Sequence, residues 1–309
     1  MLYCTLLDPA LDALYELEEL QPGSTMSGVK SRVFPSGKGI GVALTLKTLG
    51  EEVFVVGIAP ENNHRQFSEF LDRAAIASHM VSVPGCARVN TTIVETKAGN
   101  CTRLSAASAS VPSSVPEELI EFFRSKVLPG DLCAFCGNLP PGMGNDGYQK
   151  IIRACKEKGA VVMLDCSGKP FKMGLRAKPH MVKPNLEELE SFFEESIQGV
   201  HHIALKGKRL VDMGVGYAFV SLGSDGMIAI HENDCLLCSP PHIRAVDPVG
   251  CGDALVGGLL AGFSRTFSFS ETCRMAVACG ACKAQHYGAG AITRDDVWRL
   301  MEEVTIKAV

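Results

Sequence analysis

Short apolar runs that alternate with amphipathic stretches constrain this chain more than any other feature. The runs "EVFVVGIA", "LCAFCG", "AVVMLDCSG", "HMVKPN", "YAFVSLG" and "MIAIH" have the length of buried strands. Between them, "PEELIEFFRSKV", "NDGYQKIIRACKEKG" and "NLEELESFFEES" place apolar residues near a 3.6-residue period. Strand–helix alternation of this kind predicts an α/β fold, a mostly parallel sheet covered by helices. Local punctuation agrees. Pro116 stands at a helix start, Gly159 just past a helix end, and Thr293 and Asp296 are spaced like a capping box.

Two stretches fit that core poorly: Ala10–Pro35, and Ala87–Ala107 with the sequence "ARVNTTIVETKAGNCTRLSAA". The second reads as a hairpin, with β-branched residues on either side of Ala98-Gly99-Asn100. Neither carries a crossover helix of its own, so together they predict a small second sheet, set beside the core as a lid or a dimer surface. The 309 residues show no repeat and no low-complexity linker, and are read as a single domain, 1–309, with the lid segments (about 10–35 and 87–107) inserted in it.

Composition excludes more than it selects. Hydrophobic residues make up 46%, enough for a substantial core, and the net charge of −4 gives no electrostatic reason to expect nucleic acid. There is no long apolar span, and the start "MLYCTLLDPALD" has neither a basic leader nor a cleavage-like site. No membrane partner is expected, and the chain is read as cytoplasmic. Three pairs among the 13 cysteines have CxxC spacing: Cys133/Cys136, Cys235/Cys238 and Cys279/Cys282. The first two pairs sit in predicted strands, where residues three apart point to opposite faces, and the third in a helix. The expectation is small buried hydrophobes in a reducing compartment, not a zinc site.

The chemistry concentrates in three segments. "AVDPVGCGDALVGGLLAGF", Ala245 to Phe263, sets Gly250, Cys251 and Gly252 before Asp253 at a helix start. Such a start presents unpaired N–H groups, and glycines let an anion approach them. A carboxylate there fits if it takes a proton from a hydroxyl attacking phosphorus. An N-capping aspartate after a glycine turn is the competing reading. "PSGKGIGVALTLKTLG", Pro35 to Gly50, offers a second helix start for an anion or polyol. It matches neither a dinucleotide fingerprint nor a Walker P-loop. "VKPNLEELE", Val182 to Glu190, ends a strand at Lys183-Pro184 and starts a helix with Asn185 as N-cap and Glu188 at the capping-box position.

Together with "LLDPALDALYEL", "ARVNTTIVE", "CGNLPPG", "DCSG" and "VSLGSDG", these segments resemble the PfkB/ribokinase family of carbohydrate kinases nearly end to end. Within it they are most similar to the branch containing 1-phosphofructokinase and tagatose-6-phosphate kinase. The resemblance implies a ribokinase-like three-layer sandwich with a small β-sheet lid, and ATP-Mg²⁺ phosphorylation of a sugar hydroxyl. It implies Asp253 as base and Gly250, Cys251 and Gly252 as an anion hole. Asp12, Gly37, Lys38, Arg88, Asn90 and Asn138 would meet the sugar phosphate. Lys183, Asn185, Ser221, Gly223 and Gly226 would meet the nucleotide, with Glu188 near Mg²⁺ through water. A monovalent cation and a homodimer through the lid are further implications.

The chain departs from the family pattern at several places. Ser36 and Gly41 replace a glycine and an asparagine around Lys38, and "SAASAS" (Ser105 to Ser110) replaces an acidic segment. Asn138 stands where serine is usual, and Pro248 and Cys251 where Thr and Ala are common. These changes leave the base and anion hole in place and fall mostly on the sugar side. They keep open a second class of reading, a non-catalytic sugar-phosphate-binding relative.

Overall fold

Leu2–Leu6 (β1) is buried along its whole length, as a strand must be when helices cover both faces of its sheet. The computed structural model describes residues 1–232, 234–288 and 290–309. After β1 come β2 (Ala10–Leu17), β3 (Lys30–Ser36), α1 (Lys38–Leu49), β4 (Val53–Pro60), α2 (His64–Arg73) and β5 (Ala77–Val83). The hairpin β6 (Arg88–Glu95) and β7 (Asn100–Leu104) follows, then α3 (Val115–Lys126), β8 (Leu132–Cys136), α4 (Gly147–Glu157) and β9 (Val161–Asp165). Next are α5 (Gly168–Leu175), β10 (Met181–Val182), α6 (Leu186–Phe193), α7 (Val200–Asp212) and β11 (Tyr217–Ser221). The chain closes with β12 (Met227–His231), β13 (Asp234–Ser239), α8 (Cys251–Ser264), α9 (Phe269–Ala284), α10 (Arg294–Glu303) and β14 (Thr305–Ala308).

The large sheet has ten strands in the order β14-β13-β12-β11-β10-β9-β8-β1-β4-β5. From β11 to β5 every pairing is parallel, and β12, β13 and β14 extend the edge antiparallel. Side-chain alternation divides the core in two. Cys4, Ala134 and Met163 pack with α1, α2, α8, α9 and α10 on one face. Tyr3, Phe135 and Leu164 pack with α3 to α7 on the other. The result is the expected helix–sheet–helix sandwich. Among the described residues, no helix is long and apolar enough to cross a membrane.

The CxxC pairs follow this logic. Cys133 lies in one core layer and Cys136 in the other. Cys235 and Cys238 divide the same way, and Cys279 and Cys282 are buried along α9.

A second sheet has four strands in the order β3-β2-β6-β7, with β2 and β6 parallel and the outer pairs antiparallel. Its hairpin turn sits a little earlier than the glycine alone indicates. Glu95 pairs with Asn100, so the loop is Thr96 to Gly99 and Asn100 already belongs to β7. Gly99, at φ 69°, is the left-handed residue that closes the loop.

Candidate active site

β1, β8, β9, β10 and β11 all end toward one crevice, where α/β sheets present loops and helix starts to a ligand. The small sheet covers one side of it. Pairing of Asp12 with Phe34 and Asn90, and of Thr92 with Arg103, puts these side chains on one face, toward the cleft. The cleft encloses about 940 Å³. All the residues singled out above line it: Gly250 to Asp253, Asp12, Gly37, Lys38, Arg88, Asn90, Asn138, Lys183, Asn185, Glu188, Ser221, Gly223 and Gly226.

At the cleft floor α8 begins after Gly250, whose φ of 83° lets the chain turn sharply into the helix. Asp253 is the third helical residue and makes no capping hydrogen bond, so the N-cap reading is corrected: Gly250 holds the cap position. The carboxylate lies against α1. A Cβ at Gly41 would stand 2.7 Å from Asp253 Oδ2 and 2.9 Å from Asp253 Cβ. The small residue at 41 therefore has a steric role here, because any side chain would displace Asp253.

The charges around Asp253 are arranged as a relay of ion pairs. Asp165, fully buried at the end of β9, accepts from Lys38 Nζ at 3.0 Å and pairs with Lys183 Nζ at 3.1 Å. Burial would raise the Asp165 carboxyl, but Lys183 and Lys38 outweigh it and hold it below its ordinary value. Burial likewise opposes the charge on Lys38, and Asp165 and Asp253 reverse that, so Lys38 stays an ammonium. Among the described residues, Asp253 has no such direct partner. Loss of hydration pushes its carboxyl up to about 7; Lys38 pulls it down, Asp165 pushes it up, and Lys183 and Arg103 pull it down. A group balanced there can hold or release a proton near neutral pH. Lys183 Nζ is 3.8 Å from the point where a Cβ of Gly252 would lie. A buried cation thus stands beside the N–H groups of the helix start, a donor set suited to an anionic phosphoryl group.

On the lid side, Asp12 accepts from Asn90 Nδ2 at 2.9 Å and from Ser36 Oγ at 2.7 Å. Arg88 faces the cleft with its guanidinium engaged. It forms a two-pronged pair with Asp8 (3.1 and 2.9 Å) and donates to Asn90 Oδ1 and the Ala106 carbonyl. Arg103 reaches into the same space, 3.8 Å from Asp12 Oδ2. Ser36, which departs from the family pattern, here orients Asp12.

At the other end, Asn185 and Glu188 form a complete capping box. Asn185 N donates to Glu188 Oε2 at 2.9 Å, and Glu188 N donates to Asn185 Oδ1 at 2.7 Å. Ser221, Gly223 and Gly226 surround a tight turn after β11, held by Leu222 N donating to the Gly226 carbonyl at 2.8 Å. Pro240, Pro241, His242 and Ile243 complete this wall. Sequence reasoning passed over them, and also over Asp8, Arg103 and Asp165. "LLDPALDALYEL" and "DCSG" hold Asp8 and Asp165 as motif residues to which the sequence attaches no role; the others carry no local signal.

The match of the pfkB family carbohydrate kinase model to residues 3–296 settles the family. This chain is a PfkB family carbohydrate kinase. As such it is an ATP-dependent sugar kinase. The kinase is 29% identical to the 1-phosphofructokinase of Bacillus subtilis over 306 residues, covering 99% of each chain. It is 29% identical to that of Haemophilus influenzae over 304 residues, covering 98% and 97%. These near full-length likenesses support a sugar-phosphate kinase of the family. In fold it superposes on Escherichia coli phosphofructokinase-2 in complex with potassium, with a TM-score of 0.91, 22% identity and 98% of each chain covered.

Proposed function

We propose that this kinase phosphorylates a hydroxyl of a ketohexose phosphate, most like fructose 1-phosphate to fructose 1,6-bisphosphate. Tagatose 6-phosphate is the nearest alternative substrate. The observation that carries the reading is the cleft face of the small sheet, which sets Arg103 3.8 Å from Asp12 Oδ2, on the same wall as Arg88 and its partner Asp8. A neutral sugar gives little reason for the Arg103 guanidinium at the cleft, whereas a substrate phosphate is matched by its planar donors. The likeness to the two bacterial 1-phosphofructokinases supports the same choice.

Bound ATP supplies the phosphoryl group. Asp253 takes the proton of the acceptor hydroxyl as its oxygen attacks phosphorus and the bond to the leaving ADP oxygen breaks. The N–H groups of Gly250, Cys251 and Gly252, with Lys183 beside them, stabilise the charge on the transferring group. Asp12, Asn90, Asn138, Gly37 and Lys38 orient the sugar. Asn185, Ser221, Gly223 and Gly226 hold the nucleotide. Glu188, with one oxygen committed to its cap, fits hydrated Mg²⁺ through the other, since that ion commonly keeps its waters. The small sheet acts as the lid and, through its outer face, as the contact of a homodimer.

A coupled assay for ADP release over fructose 1-phosphate, tagatose 6-phosphate, fructose 6-phosphate, fructose and ribose tests the substrate. Turnover confined to the neutral sugars would overturn the proposal. Arg103→Ala is the sharper variant, because Arg88 is committed to Asp8. It should raise KM for the phosphorylated sugar about 10- to 100-fold with kcat largely kept, the range expected for a lost hydrogen bond to a charge.

A further inference from the structure

Lys283, near the end of α9, is 1% exposed, an unusual place for an ammonium group. It runs beneath the turn that leads into α8. Its Nζ lies 3.5 Å from Asp247 Oδ2, itself a buried carboxylate, and donates to the His286 carbonyl at 2.8 Å. Its Cε passes 3.4 Å from where a Cβ of Gly250 would stand. Asp247 in turn shapes the turn: its Oδ1 accepts from Val249 N at 3.0 Å, and its backbone N–H and that of Val246 donate to the Ala284 carbonyl. The C-terminus of α9 is therefore stitched to the segment that aims the N–H groups of Gly250, Cys251 and Gly252. One stitch is a backbone carbonyl and the other a charge.

A monovalent cation is implied for this family, and the potassium complex of Escherichia coli phosphofructokinase-2 makes the question concrete. A dehydrated alkali cation serving this turn needs a carboxylate and carbonyl oxygens. Asp247 and His286 O supply them, and the Lys283 ammonium already stands between the two. The residues present do not fit an added cation. We propose that Lys283 is a tethered cation, a positioning residue that holds the Asp247–Gly250 turn in place of an exchangeable monovalent ion. A covalently attached ammonium carries the same single charge, and its local concentration does not depend on the salt in the medium.

Melting temperature and turnover of the whole kinase, measured in KCl, NH₄Cl and choline chloride at constant ionic strength, test this. The wild type should give the same values in all three. Lys283→Ala should lose about 10²-fold in kcat, the scale expected when a reacting group is misplaced by an ångström. KCl or NH₄Cl should then raise both its kcat and its melting temperature over choline chloride. Potassium activation and stabilisation of the wild type would overturn the proposal, as would a loss in the variant that no cation relieves. Should Lys283→Ala not fold, the wild-type series still decides, and Lys283→Met with Asp247→Asn removes both charges together and should fold without responding to cations. The turnover arm rests on the proposed kinase reaction. The melting arm needs no substrate, so a wrong sugar and a wrong assignment of Lys283 give different results.

Discussion

Asp253 is held near 7 first by burial, against the pull of Lys38 and with the push of Asp165. Its protonation should therefore govern the acid limb of kcat/KM, with activity falling about tenfold per unit below pH 7. Asp253→Asn should lower kcat about 10²- to 10⁴-fold while KM changes little. The same group makes a stability prediction. Its folded value lies above its unfolded value of 3.8, so folding takes up a proton; that contribution is complete below 3.8 and lost as pH rises through about 7. Thermal denaturation should show Asp253→Asn melting higher than wild type at pH 8, with the gap closing toward pH 4. The gain is at most about 4 kcal/mol, and less where water in the cleft screens the carboxylate. Equal melting at both pH values would mean that Asp253 is fully hydrated. Asp253 and its glycines were legible because turn, helix start and acid are adjacent in sequence. Asp165 and Lys38 are 127 positions apart, and only the sheet order brings them into contact.

Elements are legible in the sequence where their signals are local. Asn185 and Glu188 do form a capping box, the Thr293 side chain caps α10 by accepting from Asp296 N without the reciprocal bond of a full box, and Pro116 lies in the first turn of its helix. The start of α8 was ambiguous because a glycine turn before an aspartate satisfies two local rules at once. Packing decided it, by seating Asp253 against Gly41 rather than over the helix end. Gly250→Ala tests this element. A Cβ at φ 83° costs about 1–2 kcal/mol, so the melting temperature should drop by a few degrees. In the proposed reaction the N–H groups this turn aims are used most in the transition state, so kcat should fall more than KM rises. A variant with wild-type kcat would remove the turn from the catalytic argument.

At the scale of the molecule, the small sheet has two unlike faces. Toward the cleft it carries Asp12, Asn90, Arg88 and Arg103; on the other face, Tyr15, Val33, Val89 and Leu104 are between a third and three-fifths exposed. That apolar face is the contact of the proposed homodimer, since clustered exposed apolar side chains mark interaction surfaces. Val89→Asp with Leu104→Asp should convert a dimer to a monomer in light scattering, and weaken substrate binding if the partner steadies the lid. A wild-type chain that is already monomeric at assay concentrations would defeat this reading.

The parallel α/β core, the separate small sheet and the glycine turn before Asp253 follow from the sequence alone. Each is written in periodicity or in adjacent residues, which local sterics and hydrogen bonding are enough to interpret. Packing alone shows that Lys38 and Lys183 share Asp165, that Arg88 is tied to Asp8 while Arg103 reaches the cleft, and that Lys283 lies against the Asp247–Gly250 turn. Those are Coulomb interactions between residues far apart in the chain, and their strength depends on distances and burial that exist only after the layers have packed.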